Sequence, residues 1–332
     1  MTMPSLRRQW IRTAFVLLSL CGVQSAHAYS HFTLSEGTRL RWDPPRVRWF
    51  ATERGVPGVS ATEFQAAMAR AFATWDAVPT ATIAFEFVGF TSAEPLEDDG
   101  VSVFGFQNHP EMERVIGATT FVVDTITGEI VESDVFFNSA FTWSTTGDSD
   151  RFDLQSVAVH EIGHFAGLGH SALGETELRP EGGRRVLGSA AVMFPISLGR
   201  GSTTDRELQP DDIAGISDLY PDGDFRADTG TVRGRVRRGD RAVPGAHIAA
   251  FNIRTGTLIG GFALGEGGEF QIAGLSPGAY VIRVEPLDDA DVESFFSSAG
   301  VDVDFQVTFH PRLLVAPAGG AGPSFDVAVR PK

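Results

Sequence analysis

The run His160-Glu161-Ile162-Gly163-His164-Phe165-Ala166-Gly167-Leu168-Gly169-His170 constrains this chain more than any other stretch. Its spacing is H-E-x-x-H-x-x-G-x-x-H. His160 and His164 are four apart, so a helix puts both imidazoles on one face, one turn apart. Gly167 can enter the left-handed region that a residue with a Cβ resists, so it can stop the helix and turn the chain. His170 can then come back to the two earlier rings. Three imidazoles at three corners of a tetrahedron suit zinc and leave the fourth position for water, as a catalytic site requires. Glu161 projects beside them, where it can accept a proton from that water. Two histidines at helical spacing are usually just solvated, but five fixed positions including the glycine are far rarer, and we read the run as a zinc site.

The 332 residues are enough for two domains, and 42% hydrophobic content supports real cores. Residues 1–28 read as a secretory signal: Arg7, Arg8 and Arg12 form the basic start, Ala14 to Val23 the apolar stretch, and Ala26-His27-Ala28 the cleavage site. A lipoprotein box at Leu18 to Cys21 and a twin-arginine signal at Arg7-Arg8 are weaker alternatives. The apolar run is too short to span a membrane, and we expect an exported, extracellular protein. The formal charge is −15, and removal of residues 1–28, which carry +3, would leave −18. That acidic excess argues against nucleic acid or an anionic membrane as partner. The only cysteine, Cys21, lies in the signal-like segment, so no disulfide is expected in the exported chain.

Val47 to Ala51 reads as a first strand. A helix follows, with Ser60 and Glu63 spaced as a capping box and Phe64, Met68, Phe72 and Trp75 as one buried stripe. Ile83 to Phe87, Val101 to Phe106, Ala118 to Val123 and Ile130 to Phe137 read as strands. The spacing predicts a motif helix from Ser149 or Asp150 to Ala166. Pro210, Asp211 and Asp212 open a last helix whose apolar face is Ile213, Ile216 and Tyr220. Residues 222–230 read as a linker. Beyond it, about seven short strand candidates with turn residues between them predict an all-β sandwich over 231–332. His247 and His310 are isolated in this half, and no catalytic constellation is evident there.

The extended histidine motif resembles the signature of the metzincin metallopeptidases. Their Met-containing turn is matched by Ala191-Val192-Met193-Phe194-Pro195, and Met193 falls 23 residues after His170. Within the metzincins the chain is most similar to the matrixins, through Ser171 after the third histidine, the Met-Phe-Pro turn and Leu208 to Tyr220. The resemblance implies an α+β catalytic domain over 29–221, with a mixed twisted sheet, helices and the edge strand near Gly117 to Val123 receiving an extended peptide. It further implies that His160, His164 and His170 hold Zn2+, that Met193 lies beneath them, and that Glu161 assists the attack of a zinc-bound water on a peptide bond. Protein or peptide substrates and a monomeric secreted zinc endopeptidase follow. Matrixins also bind calcium at loop acids, for which Asp98, Asp99, Asp124, Glu129, Glu132 and Asp134 are candidates here; solvated acids of an acidic protein are the equal alternative. Two features depart from the family. No cysteine is placed to block the zinc, and His31 and His109 alone cannot supply a second, three-histidine structural zinc. The turns at Val243-Pro244-Gly245, Gly267-Gly268 and Ser276-Pro277-Gly278 resemble carboxypeptidase regulatory-like, transthyretin-like sandwiches. A zinc-containing binding or adhesion module with little peptidase activity remains the alternative function.

Overall fold

A computed structural model describes residues 30–34, 37–180, 182–296 and 301–332. The signal-like residues 1–28, Cys21 among them, lie outside the described residues.

The first half is built on β1 (Arg46–Thr52), α1 (Ala61–Asp76), β2 (Ala84–Thr91), β3 (Val103–Gln107), β4 (Gly117–Val123) and β5 (Ile130–Asn138). The strand order is β2-β1-β3-β5-β4, all parallel except β4, which runs antiparallel to β5 at the edge. One face of this sheet buries Val47, Trp49, Phe104, Phe106, Val135 and Phe137 against α1 and the motif helix. The stripe on α1 is buried as its spacing requires, with Trp49 stacked on Phe72 at 4.5 Å between ring centroids. The capping box forms in both directions: Ser60 Oγ accepts from Glu63 N, and the Glu63 carboxylate accepts from Ser60 N at 2.8 Å.

A short parallel pair, β6 (Trp143–Ser144) and β7 (Phe152–Asp153), precedes the motif helix α2 (Leu154–Phe165). The helix therefore starts about one turn later than Ser149 or Asp150. Those residues are also good caps by type, but the pairing of Phe152 with Trp143 holds the chain extended. Asp153 then caps the helix by accepting from Ser156 N at 2.8 Å. After α2 come a hairpin that the sequence pattern did not announce, β8 (Gly174–Leu178) and β9 (Arg184–Ser189), and helix α3 (Pro210–Leu219). Ile216 and Tyr220 are buried, but Ile213 is exposed; Ala214 and Gly215 are buried in its place. Ala214 belongs to the core of the second half, so α3 is covered on two sides.

In the second half α4 (Phe225–Asp228) occupies the stretch read as a linker, with Phe225 buried. Strands β10 (Gly230–Arg238), β11 (Arg241–Ala242), β14 (Glu269–Leu275) and β18 (Ala321–Ala328) form one sheet. Strands β12 (His247–Asn252), β13 (Leu258–Phe262), β15 (Gly278–Glu285), β16 (Thr308–Phe309) and β17 (Leu314–Ala316) form the other. Pro311 lies between β16 and β17, where it can donate no ladder hydrogen bond. Val232, Phe270, Ile272 and Val327 of the first sheet and Ile248, Ile259, Tyr280 and Ile282 of the second share one buried cluster.

The reciprocal cap at Ser60 yields a direct test. Ser60→Ala is expected to lower unfolding free energy by about 1 kcal/mol, measured by denaturant titration; a change under about 0.2 kcal/mol would mean the cap contributes nothing.

Candidate metal centre

Helix α2 carries His160, Glu161 and His164, and it ends where the motif requires. Gly167 has φ +104°, and a Cβ there would lie 2.5 Å from the Leu40 carbonyl oxygen. The turn brings His170 back, so that one nitrogen of each histidine lies within 4.8 Å of the other two. His160 is half-buried; His164 and His170 are buried.

Each ring is oriented by a backbone carbonyl. The Nδ1 of His160 bonds Val192 O at 2.7 Å, that of His164 bonds Leu168 O at 2.8 Å, and that of His170 bonds Ser294 O at 2.6 Å. A carbonyl can only accept, so each Nδ1 carries the proton and each Nε2 presents a lone pair. Burial holds all three rings neutral: it lowers the pKa of each, helped for His164 and His170 by neighbouring imidazoles, and brings His170 to about 3. The Nε2 atoms of His164 and His170 face each other at 3.1 Å with no proton between them. Two corners of a tetrahedron with Zn–N bonds of about 2.0–2.1 Å sit about 3.3 Å apart, so the donor set fits zinc in chemistry and spacing.

Glu161 is buried beside them. Its Oε2 accepts from Thr119 Oγ1 of β4 at 2.7 Å, and burial pushes its carboxyl up to about 7 against that hydrogen bond. Its Oε1 lies 3.1 Å from where a Cβ on Gly117 would stand, so the edge strand is bare of side chain at that point. Met193 is buried under α2; a Cβ on Gly163 would be 2.3 Å from its sulfur. The turn around Met193 is held by α3, whose Asp212 carboxylate accepts from Val192 N at 2.9 Å and Met193 N at 3.1 Å. The neighbouring Asp211 accepts from Ser171 Oγ at 2.6 Å and from Gly260 N of β13 at 2.8 Å.

The three histidines and Glu161 line one cleft of about 370 Å³. Gly117, Phe194 and Asp205 share its walls, and burial alone pushes the Asp205 carboxyl up to about 6. Asp291, Glu293 and Ser294 of the second half also line it. The residues missed in the sequence are Thr119 and Ser294, which meet the motif from 42 and 124 positions away. Neither His247, paired with Glu285 at 2.8 Å, nor His310, bonded to Arg312 O at 2.8 Å, takes part.

Gly163 gives a prediction whose sign is not obvious. Alanine at an internal helical position normally gains about 1 kcal/mol over glycine. Here the overlap with Met193 and Trp75 outweighs it, and Gly163→Ala is expected to cost about 1–2 kcal/mol net. A rise in melting temperature would refute the tight seat for Met193.

Residues 41–181 match the family model described as matrixin. The match ends before Met193, α3 and the second half. Among similar proteins is metalloendoproteinase 4-MMP of Arabidopsis thaliana, 27% identical over 222 residues, covering 62% of this chain and 57% of the relative. Metalloendoproteinase 2-MMP of the same plant is 30% identical, covering 58% and 46%. Metalloendoproteinase 1 of Glycine max is 32% identical, covering 47% and 45%. The chain spans about half the length of these relatives.

Proposed function

We propose that the protein is an exported zinc endopeptidase, with His160, His164 and His170 as ligands and Glu161 as the acid–base residue. The observation that carries this reading is the convergence of three Nε2 lone pairs beside a carboxylate in a cleft under a sheet edge. The matrixin match over 41–181 and the metalloendoproteinase relatives support it. Bound zinc would supply a Lewis acid that polarises the scissile carbonyl and acidifies water.

The chain's own residues do the rest. The three Nδ1–carbonyl hydrogen bonds hold the imidazoles in the ligating tautomer. Glu161 takes a proton from the attacking water and returns it to the departing amine. Thr119 Oγ1 anchors one oxygen of Glu161 and leaves the other toward the cleft. The free edge of β4 offers main-chain hydrogen bonds to an extended peptide. Met193 supports the floor beneath the ligands. We read residues 29–221 as the catalytic domain, 222–230 as its connection, and 231–332 as a β-sandwich of the carboxypeptidase regulatory-like kind. Export follows from the signal-like residues 1–28. No helix among the described residues is long and apolar enough to cross a membrane.

The test compares zinc content and cleavage of an unstructured protein by the wild type and Glu161→Gln. We expect about one zinc in both and at least a hundredfold loss of activity in the variant. Full activity with Glu161→Gln would remove the assignment, and zinc in both with cleavage in neither would favour a binding module.

Calcium is a second ion we propose, at Glu132 and Asp134 with Asp98 and Asp99 close by. Asp134 accepts from Leu96 N at 2.8 Å and Val103 N at 2.9 Å, yet burial and the Glu132 charge push its carboxyl up to about 8. The folded state then holds a proton that the unfolded chain has lost. Without calcium, stability is expected to fall as pH rises from about 4 to about 8. Calcium should raise the melting temperature most near the upper end; no shift at pH 8 would count against the site.

A further inference from the structure

We propose that the second half is a working part of the metal centre: the backbone carbonyl of Ser294 fixes the His170 ring, and residues 291–294 close one side of the cleft. This rests on the reading that the three histidines bind zinc, and it assigns Ser294 a positioning role in that site.

The first observation is the hydrogen bond from His170 Nδ1 to Ser294 O at 2.6 Å. The other two ligands find their acceptors inside the first half, at Leu168 and Val192. His170 is buried, and among the described residues its Nδ1 bonds only Ser294 O. Without the carbonyl the ring would lose both its orientation and the acceptor that makes Nε2 a stronger donor to a metal.

The second observation is how firmly this turn is held. Ser294 ends a short turn over Val292–Ser294, in which Ser294 N donates to Asp291 O at 2.8 Å. Phe295 and Phe296 follow, 5% and 4% exposed, packed with Phe262, Leu287 and Ala290. Phe262 meets both rings, at 5.8 and 5.1 Å between centroids. Ala172 and Ile196, two residues past His170 and three past Met193, pack against this same cluster.

The hairpin that follows His170 grips the segment from the other side. Thr176 donates from N to Asp289 Oδ1 and from Oγ1 to Asp289 O, both at 2.7 Å, and Arg184 Nη1 donates to Asp288 O at 2.6 Å. Asp211 adds a third tie, joining Ser171, next to His170, to Gly260 of β13. The turn thus meets His170 as a braced element, and Asp291 and Glu293 face the cleft from it.

The experiment uses the full chain and reads metal binding rather than peptidase activity. Zinc affinity is measured by competition with a chromophoric chelator, and the visible spectrum of the cobalt-substituted protein reports ligand geometry. Phe295→Ala with Phe296→Ala, which unseats the turn, is expected to weaken zinc binding about ten- to a hundredfold and to alter the cobalt spectrum. Ile272→Ala opens a cavity in the other core of the second half, smaller than that of the double variant. It should lower the melting temperature yet leave zinc affinity within about twofold. Equal affinity in wild type and the double variant, or equal weakening by Ile272→Ala, overturns the proposal. If the double variant does not fold, Ser294→Gly decides. It removes no core atom but frees the backbone, and should weaken zinc about threefold; an unchanged affinity there also overturns it. A wild type that binds no zinc would instead sink the underlying reading.

Discussion

The centre depends on three hydrogen bonds that contain no catalytic group: a backbone carbonyl on the Nδ1 of each histidine. Three neutral imidazoles that point lone pairs at one another repel, and nothing in a helix or turn forces them to do so. The carbonyls settle the matter by accepting a hydrogen bond from each Nδ1–H, which keeps the proton there and fixes each ring plane. Each acceptor has a different source. Leu168 is delivered by the glycine turn that ends α2. Val192 is delivered by the turn at Met193, which is itself hung on the Asp212 carboxylate. Ser294 is delivered by the second half.

That division of sources explains why some of the site was legible in the sequence and some was not. His160, Glu161, His164, Gly167 and His170 are set by local geometry, so helical period and one positive φ give them away. The capping box at Ser60 is local in the same sense. Thr119 and Ser294 act across the fold, Thr119 as an ordinary strand residue and Ser294 through its backbone, so no residue type marks them. The hairpin after His170 has polar and exposed residues on both strands, so it lacks the alternation that reveals a half-buried sheet. At the start of α2 several residues could cap equally well, and pairing with Trp143 decided among them. At α3 Ile216 and Tyr220 are buried as the period predicts, but Ile213 is exposed, and Ala214, too small to look like a core face, is what the second half covers.

Helix α3 follows from the same constraint. Its two opening acids look like ordinary first-turn residues that favour the helix dipole. Both are buried, and burial pushes Asp211 up to about 7, aided by the Asp212 charge, and Asp212 up to about 6. A protein tolerates two adjacent buried carboxyls only where their hydrogen bonds compensate. Here the partners are Val192 and Met193 for one, Ser171 and Gly260 for the other. These contacts reach the turn at Met193, Ser171 next to His170, and β13 of the second half.

Composition and turn chemistry divide this chain cleanly near residue 222, and by that criterion everything beyond it is accessory. A side-chain inventory supports the division, because the three histidines and Glu161 all come from the first half. A hydrogen-bond inventory does not. The ring of His170 is oriented by residue 294, the residue after His170 is tied through Asp211 to residue 260, and the hairpin after it is tied to residues 288 and 289. A fold can place the boundary of a site elsewhere than the boundary of a sequence pattern, because a backbone carbonyl is available from any residue. What selects Ser294 is therefore the packing of Phe295 and Phe296, and those two side chains are where the sequence encodes the contact.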